Sequence, residues 1–358
     1  MAGLTEALDA LETPCALLDR ARVTANCDAM RARADALGVR LRPHLKTAKC
    51  AEVARLAGGE GITVSTLEEA RYFAERGFRD QTYAVGITPD KLARVAAIDA
   101  DVAVLTDDVD VAHAAAAAGL PAWIEIDSGQ GRGGLAPDDP RVVACARALG
   151  ERLRGVLTHA GHSYGGRSVE AIRAVAEAER AAAVDAAERV RAAGVPCPGV
   201  SVGSTPTAVH AARLDGVTEL RAGVYVFFDR FQLAIGSCGA DDLALSVLAS
   251  VVSRRDGAVW IDAGTLGLSS ERSMDPFGGG YGVVTAADGA PLPGDPYVDA
   301  LNQVHGRVVA RDGALPALPV GARVRVWPNH ACITAAMYDA YEVVDDDRVV
   351  DRWPRLRG

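Results

Sequence analysis

The amino-acid sequence predicts an α/β protein with a (β/α)8 barrel of the TIM type, followed by a mainly antiparallel β domain. From about residue 38 to 235, short β-branched or apolar runs alternate with longer helical patterns. Such alternation is typical of parallel strands joined by right-handed crossovers. After about residue 236, strand-like runs are separated by turn-rich segments and helical periodicity is scarce. We therefore assign the barrel to residues 20–235 and the β domain to residues 236–358 together with 1–19.

The barrel prediction depends on eight strand candidates, a number that suits about two hundred residues of barrel. They are Val39–Arg42, Ile62–Val64, Thr82–Val85, Val102–Leu105, Ala122–Ile126, Gly155–Leu157, Gly199–Val202 and Val217–Leu220. Helical patterns lie between them, for example Leu67–Arg76, Pro89–Ala97 and Ser168–Ala193. A doubly wound open sheet is the alternative, and we disfavour it because no GxGxxG fingerprint follows the first strand.

The second domain is predicted from a further set of strand candidates. They are Val247–Val252, Ala258–Asp262, His305–Val309, Arg323–Trp327 and Ala340–Val344. The segment Cys15–Asp19 precedes the first barrel helix, and we expect it to pair with this domain.

Composition excludes several classes of function. The net charge of −9 argues against nonspecific nucleic-acid binding, which requires a basic surface. The first residues resemble no signal peptide, and no apolar run is long enough to span a bilayer. The seven cysteines form no CxxC pair, as expected of reduced thiols. We expect a cytoplasmic protein that binds neither nucleic acid nor membrane.

The segment RPHLKTAK places Lys46 just after the first barrel strand, where barrel active sites are built. A lysine there can bond covalently to a carbonyl compound when burial or a neighbouring cation lowers its pKa. His44 is one such neighbour. Taken alone, the segment favours a basic surface loop over a site.

Two later segments favour a site. DSGQGRGG follows the fifth strand, and its glycines permit close backbone approach to a ligand while Arg132 supplies a rigid donor fork. THAGHSYGG follows the sixth strand with His159, His162 and Tyr164, which suit acid–base work or a stacking surface.

An anion site is predicted after the seventh and eighth strands, the usual phosphate position in barrels. VGSTPT offers Gly203, Ser204 and Thr205 at the start of a helix, although plain helix capping explains the same residues. RAGVYVFFD follows the next strand and adds Gly223 and Tyr225.

The segment PNHACIT in the β domain contains His330 and Cys332. On a strand, residues two apart project to the same face, so imidazole and thiolate could hold one metal ion. Sulfur with nitrogen favours zinc, and two protein ligands leave positions open for substrate or water. By spacing alone, a buried cysteine beside an incidental histidine is the favoured interpretation.

In this order, RPHxKT, HAGHSY, GSTPT, RxGxYxFxD and PNHxC resemble the metal-activated D-serine dehydratase and D-threonine aldolase family, a branch of the alanine racemase fold. The resemblance runs from TPCALLD near residue 13 to Trp353, nearly the whole chain. It implies a barrel that binds pyridoxal 5'-phosphate (PLP), a β domain with the metal site, and a homodimer.

The resemblance also implies roles for individual residues. Lys46 would bind PLP covalently and move the substrate Cα proton, and His44 or His162 would act as a further catalytic group, since Ala48 replaces a histidine found in many relatives. Arg132 and Tyr164 would contact the cofactor ring. The phosphate would lie among Gly203, Ser204, Thr205, Gly223 and Tyr225, and His330 and Cys332 would hold zinc, manganese or another divalent metal.

The activity so implied is that of a lyase on D-3-hydroxy amino acids. His-x-Cys resembles the dehydratase branch, which forms a 2-oxo acid and ammonia, whereas aldolases more often resemble His-x-Asp. Retro-aldol cleavage to glycine and an aldehyde is the first alternative. An amino-acid racemase and a non-catalytic PLP-binding protein are the others, although the metal pair argues against the racemase and the β domain against the carrier. The pattern Gln303-Val304-His305 departs from the Glu-His of many relatives, so substrate choice can differ.

Overall fold

The structure is a computed structural model that describes residues 7–272, 279–346 and 348–357. Its strands are β1 Cys15–Asp19, β2 Arg40–Leu41, β3 Ile62–Val64, β4 Asp80–Gly86, β5 Asp101–Thr106, β6 Ala122–Ile126, β7 Leu153–Thr158, β8 Gly199–Val202, β9 Glu219–Leu220, β10 Leu245–Arg255, β11 Ala258–Ile261, β12 Gly282–Ala286, β13 Pro296–Leu301, β14 Gly306–Ala310, β15 Arg323–Pro328, β16 Ala340–Asp345 and β17 Arg348–Pro354.

The α-helices are α1 Arg20–Ala36, α2 Ala51–Ala57, α3 Leu67–Ala74, α4 Pro89–Ala96, α5 Val109–Ala117, α6 Pro140–Leu149, α7 Val169–Ala192, α8 Thr205–His210, α9 Arg230–Ala234 and α10 Ala331–Ala336. No described helix has the length and apolar character needed to cross a membrane. All seven cysteines are free thiols.

The described chain divides into two compact units. One contains Asp28–Lys46 and Ala57–Tyr225, and the other contains residues up to Cys27, Thr47–Leu56 and those from Val226 onward. The domain limits predicted from sequence stay a prediction.

The first unit contains an eight-stranded parallel sheet in the order β2-β9-β8-β7-β6-β5-β4-β3. A parallel bridge between His44 and Thr63 joins the two outer strands, with Leu45 N donating to Thr63 O over 2.9 Å. The sheet is therefore closed and the predicted (β/α)8 barrel is confirmed. In a parallel barrel the carboxyl ends of all strands lie at one mouth.

The second unit contains a nine-stranded sheet in the order β11-β14-β13-β12-β15-β10-β1-β16-β17. β10 also pairs with β11, which closes six antiparallel strands into a ring. Alternation along β15 explains its core: Val324 and Val326 are fully buried in the main apolar cluster, while Arg323 and Arg325 occupy the other face. As expected from the sequence, β1 joins this sheet, pairing with β10 and β16.

Candidate active site

Lys46 follows β2, and its side chain is exposed. Its backbone N–H donates to Nδ1 of His44 over 3.4 Å, and Nε2 of that ring lies 3.5 Å from the Ser65 hydroxyl. Burial, together with the charge of Lys46, lowers the pKa of His44 well below 6.5. His44 is therefore neutral and both of its ring nitrogens already have partners in the chain, an arrangement that suits orienting Lys46 more than moving protons.

A buried cation shares the neighbourhood of Lys46. Arg221 donates to the Ser201 hydroxyl over 2.7 Å and to Thr158 O over 2.6 Å. Burial lowers the pKa of Arg221 to about 10, so the guanidinium stays charged at neutral pH. Arg221 and Lys46 both depress the pKa values of His44 and His159, which places all four groups within electrostatic range of one another. Lys46 is the exposed cation of this group and can attract an anionic ligand.

The loop after β7 supplies a histidine in a defined tautomer. His159 Nδ1 lies 2.8 Å from Gly203 O, and because a carbonyl only accepts, Nδ1 carries the proton. Burial, with the charge of Lys46, lowers the pKa of His159 to about 3. The imidazole is thus neutral at physiological pH, with Nε2 as an acceptor.

The same loop places His162 and Tyr164 in a short 3₁₀ turn, Gly161–Gly165. Both side chains are half-buried. Among the residues that the structure describes, the buried Nδ1 of His162 has no hydrogen-bond partner. Buried ring nitrogens are normally satisfied, so this one is available to bond a water molecule or a ligand. Of the two histidines predicted to be catalytic, His162 is the one with an uncommitted nitrogen.

Arg132 lies in the glycine-rich loop after β6. Its side chain is 55% exposed, and Nη2 lies 3.9 Å from Glu125 Oε1. Asp127 holds this loop by accepting hydrogen bonds from the backbone N–H groups of Gly129, Gln130 and Gly131. The guanidinium is therefore accessible to a ligand.

The residues predicted to bind phosphate lie in two loops that contact each other. Thr205 Oγ1 accepts from Tyr225 N over 3.2 Å, and the Ser204 hydroxyl lies 2.8 Å from that of Ser163. A Cβ on Gly203, whose φ is +137°, would lie 2.2 Å from Arg221 O, and one on Gly223 would lie 2.8 Å from His44 O. Any side chain at either position would push these segments apart.

His330 and Cys332, the two residues predicted to hold a metal, lie in a different secondary structure from the one expected. The prediction that His330 and Cys332 lie on one strand is wrong, because β15 ends at Pro328, His330 is the N-cap of α10 and Cys332 lies within that helix. The buried Asp229 starts the helix by accepting from Ala331 N over 2.9 Å. Cys332 nevertheless lies close enough to His330 to affect its pKa.

Each member of the pair has its own orienting partner. Glu271 Oε2 lies 2.7 Å from His330 Nδ1, and the buried Thr47 hydroxyl lies 3.0 Å from Cys332 Sγ. Burial disfavours the imidazolium, but Cys332 and the nearby carboxylates outweigh it and raise the pKa of His330 to about 10.

A carboxylate behind a histidine is the usual outer arrangement of a metal site, so these residues fit a divalent metal. Within the described ranges, no cluster of three or more His, Cys, Asp or Glu side chains suited to a metal occurs. A metal held here would therefore keep positions open for substrate or water.

Comparison with known proteins identifies the family of this chain. Residues 18–230 match the family model for the alanine racemase N-terminal domain, and residues 244–344 match that for a putative serine dehydratase domain. A D-threo-3-hydroxyaspartate dehydratase from Delftia sp. is 46% identical, covering 99% of this chain and 100% of the relative. The chain belongs to this family. The family also contains a D-threonine aldolase from Arthrobacter sp., 33% identical over 96% of this chain and 92% of the relative.

Solved structures of the family agree in fold. A metal-free form of a Cys→Ala variant of D-threo-3-hydroxyaspartate dehydratase has a TM-score of 0.94 and 45% identity, covering 98% of this chain and 99% of that one. Another structure of the same dehydratase carries alanine in place of a histidine two positions earlier. Because the family's dehydratases and aldolases are lyases, the predicted enzyme class, a PLP-dependent lyase of D-hydroxy amino acids, is confirmed.

Four residues of the site escaped sequence reasoning: Thr47, Arg221, Asp229 and Glu271. Thr47 belongs to the motif RPHxKT, and Arg221 and Asp229 belong to RxGxYxFxD. Their positions in these motifs could have identified them as site residues. Glu271 stands in no motif, and only the fold brings it to His330.

Proposed function

We propose that this protein is a PLP- and divalent-metal-dependent dehydratase that converts D-threo-3-hydroxyaspartate to oxaloacetate and ammonia. The observation that carries the proposal is the pair His330 and Cys332, each with its own orienting partner. The dehydratase from Delftia sp. supports the choice, since its Cys→Ala variant was solved metal-free and the substituted residue follows a histidine at the same two-residue spacing.

PLP, when bound, supplies an electron sink for negative charge at the substrate Cα. Lys46 Nζ would hold the cofactor and, once displaced by substrate, take the Cα proton. His44 keeps Lys46 in place through the backbone of residue 46. The phosphate would be held by Gly203, Ser204, Thr205, Gly223 and Tyr225, and the ring would be flanked by Arg132 and Tyr164.

The metal held by His330 and Cys332 would make the β-hydroxyl a better leaving group as a Lewis acid. Glu271 fixes which nitrogen of His330 carries the proton, and the Thr47 hydroxyl hydrogen-bonds Cys332 Sγ. His162, whose Nδ1 has no partner in the described chain, is the group best suited to give the departing hydroxyl a proton.

The finer points of the proposal are a zinc ion, a homodimer and a cytoplasmic location. Each was expected from the sequence or from the family resemblance, and each stays a prediction. Substrate choice rests on the 46% identical relative, which the chain matches over its whole length.

Product analysis by mass spectrometry tests the proposal. Protein loaded with PLP and zinc is given D-threo-3-hydroxyaspartate, with D-serine and D-threonine as parallel substrates. We expect oxaloacetate and ammonia from the first substrate. Glycine with glyoxylate would instead make the enzyme an aldolase.

Other outcomes also contradict the proposal. Conversion of a D-amino acid into its L-enantiomer without a 2-oxo acid would indicate a racemase. PLP binding without turnover of any of the three substrates would favour a non-catalytic carrier. Faster turnover of D-serine than of D-threo-3-hydroxyaspartate would be consistent with the proposed dehydration but would contradict the proposed substrate.

A further inference from the structure

The long helix α7 carries one glutamate that does not belong to its solvated face. Glu179 is 2% exposed, although charged residues around it on the helix are in solvent. Glu177, only two positions away, pairs at the surface with Arg180 and Arg213. A buried carboxylate is costly to maintain unless it makes several hydrogen bonds.

Glu179 makes those hydrogen bonds with two active-site loops. Its Oε1 accepts from Ala160 N and from Gly203 N, both over 2.9 Å. The carboxyl group also bonds the Thr207 side chain. Ala160 directly follows His159, and Gly203 begins the loop predicted to hold phosphate. One oxygen atom therefore ties the loop after β7 to the loop after β8.

The contact closes a ring of hydrogen bonds. Gly203 gives its N–H to Glu179 and its carbonyl accepts from His159 Nδ1 over 2.8 Å. The N–H of Ala160, the residue after His159, donates to the same Glu179 oxygen. If Glu179 Oε1 moves, Gly203 O moves with the loop, and the proton on His159 loses its acceptor.

We propose that Glu179 is a positioning residue, which sets the spacing of these two loops and the tautomer of His159, and through them the affinity for the phosphate-bearing cofactor. The inference rests on the proposed function for the identity of the ligand. The role of Glu179 is to place an acceptor oxygen at a fixed distance from α7, and it does not depend on negative charge.

Two features indicate that the length of the Glu179 side chain matters more than its negative charge. Burial raises the pKa of Glu179, so the site does not favour the ionised form. Both N–H groups bond one oxygen, which a glutamine amide can supply at the same distance from the backbone. Aspartate keeps the charge but is one methylene shorter, and its oxygen cannot reach both N–H groups.

The test compares E179Q and E179D in the full-length protein, with E177Q as the matched surface control on the same helix. PLP dissociation constants are measured by absorbance titration of the apo-protein. The His159 tautomer is read from ¹⁵N NMR of imidazole-labelled protein without PLP, with H159N assigning the signal. We expect E179Q and E177Q to bind PLP within about threefold of wild type, and E179D about tenfold or more weakly with a mixed His159 tautomer.

The reverse order, with E179D retained and E179Q weakened, would show that charge is required and would overturn the proposal. Unchanged PLP affinity and an unchanged tautomer in E179D would also overturn it. Should E179D fail to fold, E179Q decides: retained affinity and tautomer support the proposal, and loss of either contradicts it. If wild type itself binds no PLP, the proposed function fails, while the NMR comparison still tests the role of Glu179.

Discussion

At the scale of single residues, two neutral histidines, His44 and His159, lie within electrostatic range of two cations, Lys46 and Arg221. His44 accepts at Nδ1 whereas His159 donates from Nδ1, so the two rings are in opposite tautomers. Sequence motifs located these histidines after the right strands. They could not assign the tautomers, because each is fixed by a backbone group that only the fold brings near.

The low pKa of His159 predicts a pH dependence of stability. As pH falls below 6.5, the unfolded chain binds a proton that native His159, with a pKa of about 3, does not bind. Stability is therefore lost as pH falls from 6.5 toward 3. H159N keeps a donor to Gly203 O but cannot titrate, so wild type should lose about 1 to 2 kcal/mol more than H159N between pH 7 and pH 5. Urea unfolding at both pH values measures this, and equal losses would contradict it.

Glu271 allows a second prediction at this scale. E271A removes the acceptor that orients His330, and losing the hydrogen-bond partner of a metal-binding histidine costs about tenfold to a hundredfold in metal affinity. E271Q keeps an acceptor oxygen and should bind zinc nearly as tightly as wild type. Competition with a chromophoric chelator gives the affinities directly.

The control for Glu271 is E342Q, an acid of the same unit that pairs with Arg352 over 2.9 Å. It should leave zinc affinity unchanged. If E271A bound zinc as tightly as wild type, Glu271 would have no role in metal binding.

At the scale of elements, the sequence predicted the barrel closely and the β domain incompletely. Ile62–Val64, Ala122–Ile126 and Gly199–Val202 are observed with the limits expected, since buried parallel strands form continuous apolar runs. Strands β12, β13 and β17 were missed. These strands carry glycine, proline or charged residues, which weaken the alternation that marks a strand.

Helix α10 was missed for another reason. Its six residues are too few for a periodic signal, and it is started from outside by Asp229. The sequence motif therefore placed His330 and Cys332 on a strand, whereas the structure places them at the start of a short helix.

Asp229 gives a prediction at this scale. D229A leaves the buried Ala331 N–H and the Gln232 N–H without their acceptor. We expect a loss of about 1 to 3 kcal/mol in the free energy of unfolding, together with weaker zinc binding because α10 carries Cys332. Denaturant unfolding and zinc titration measure the two effects. Unaltered zinc affinity in a destabilised variant would restrict Asp229 to a purely structural role.

At the scale of the whole molecule, the chain divides the proposed chemistry between two units. The barrel unit contains Lys46 and the loops predicted to hold PLP, and the other unit contains His330 and Cys332. The fold class was predictable because strand–helix alternation marks the barrel, and strand-like runs separated by turns mark the β domain. The partners of the site residues were not predictable, because Glu179 lies far in sequence from Ala160 and Glu271 lies far in sequence from His330.

The central claim is that Lys46 moves the Cα proton while His330 and Cys332 are needed for loss of the β-hydroxyl. Proton NMR of D-threo-3-hydroxyaspartate in D₂O, with PLP-loaded wild type and C332A, follows both events at once. We expect wild type to form oxaloacetate, and C332A to exchange the Cα proton for deuterium without forming it. Oxaloacetate formation by C332A at the wild-type rate, or loss of Cα exchange together with elimination, would contradict the claim.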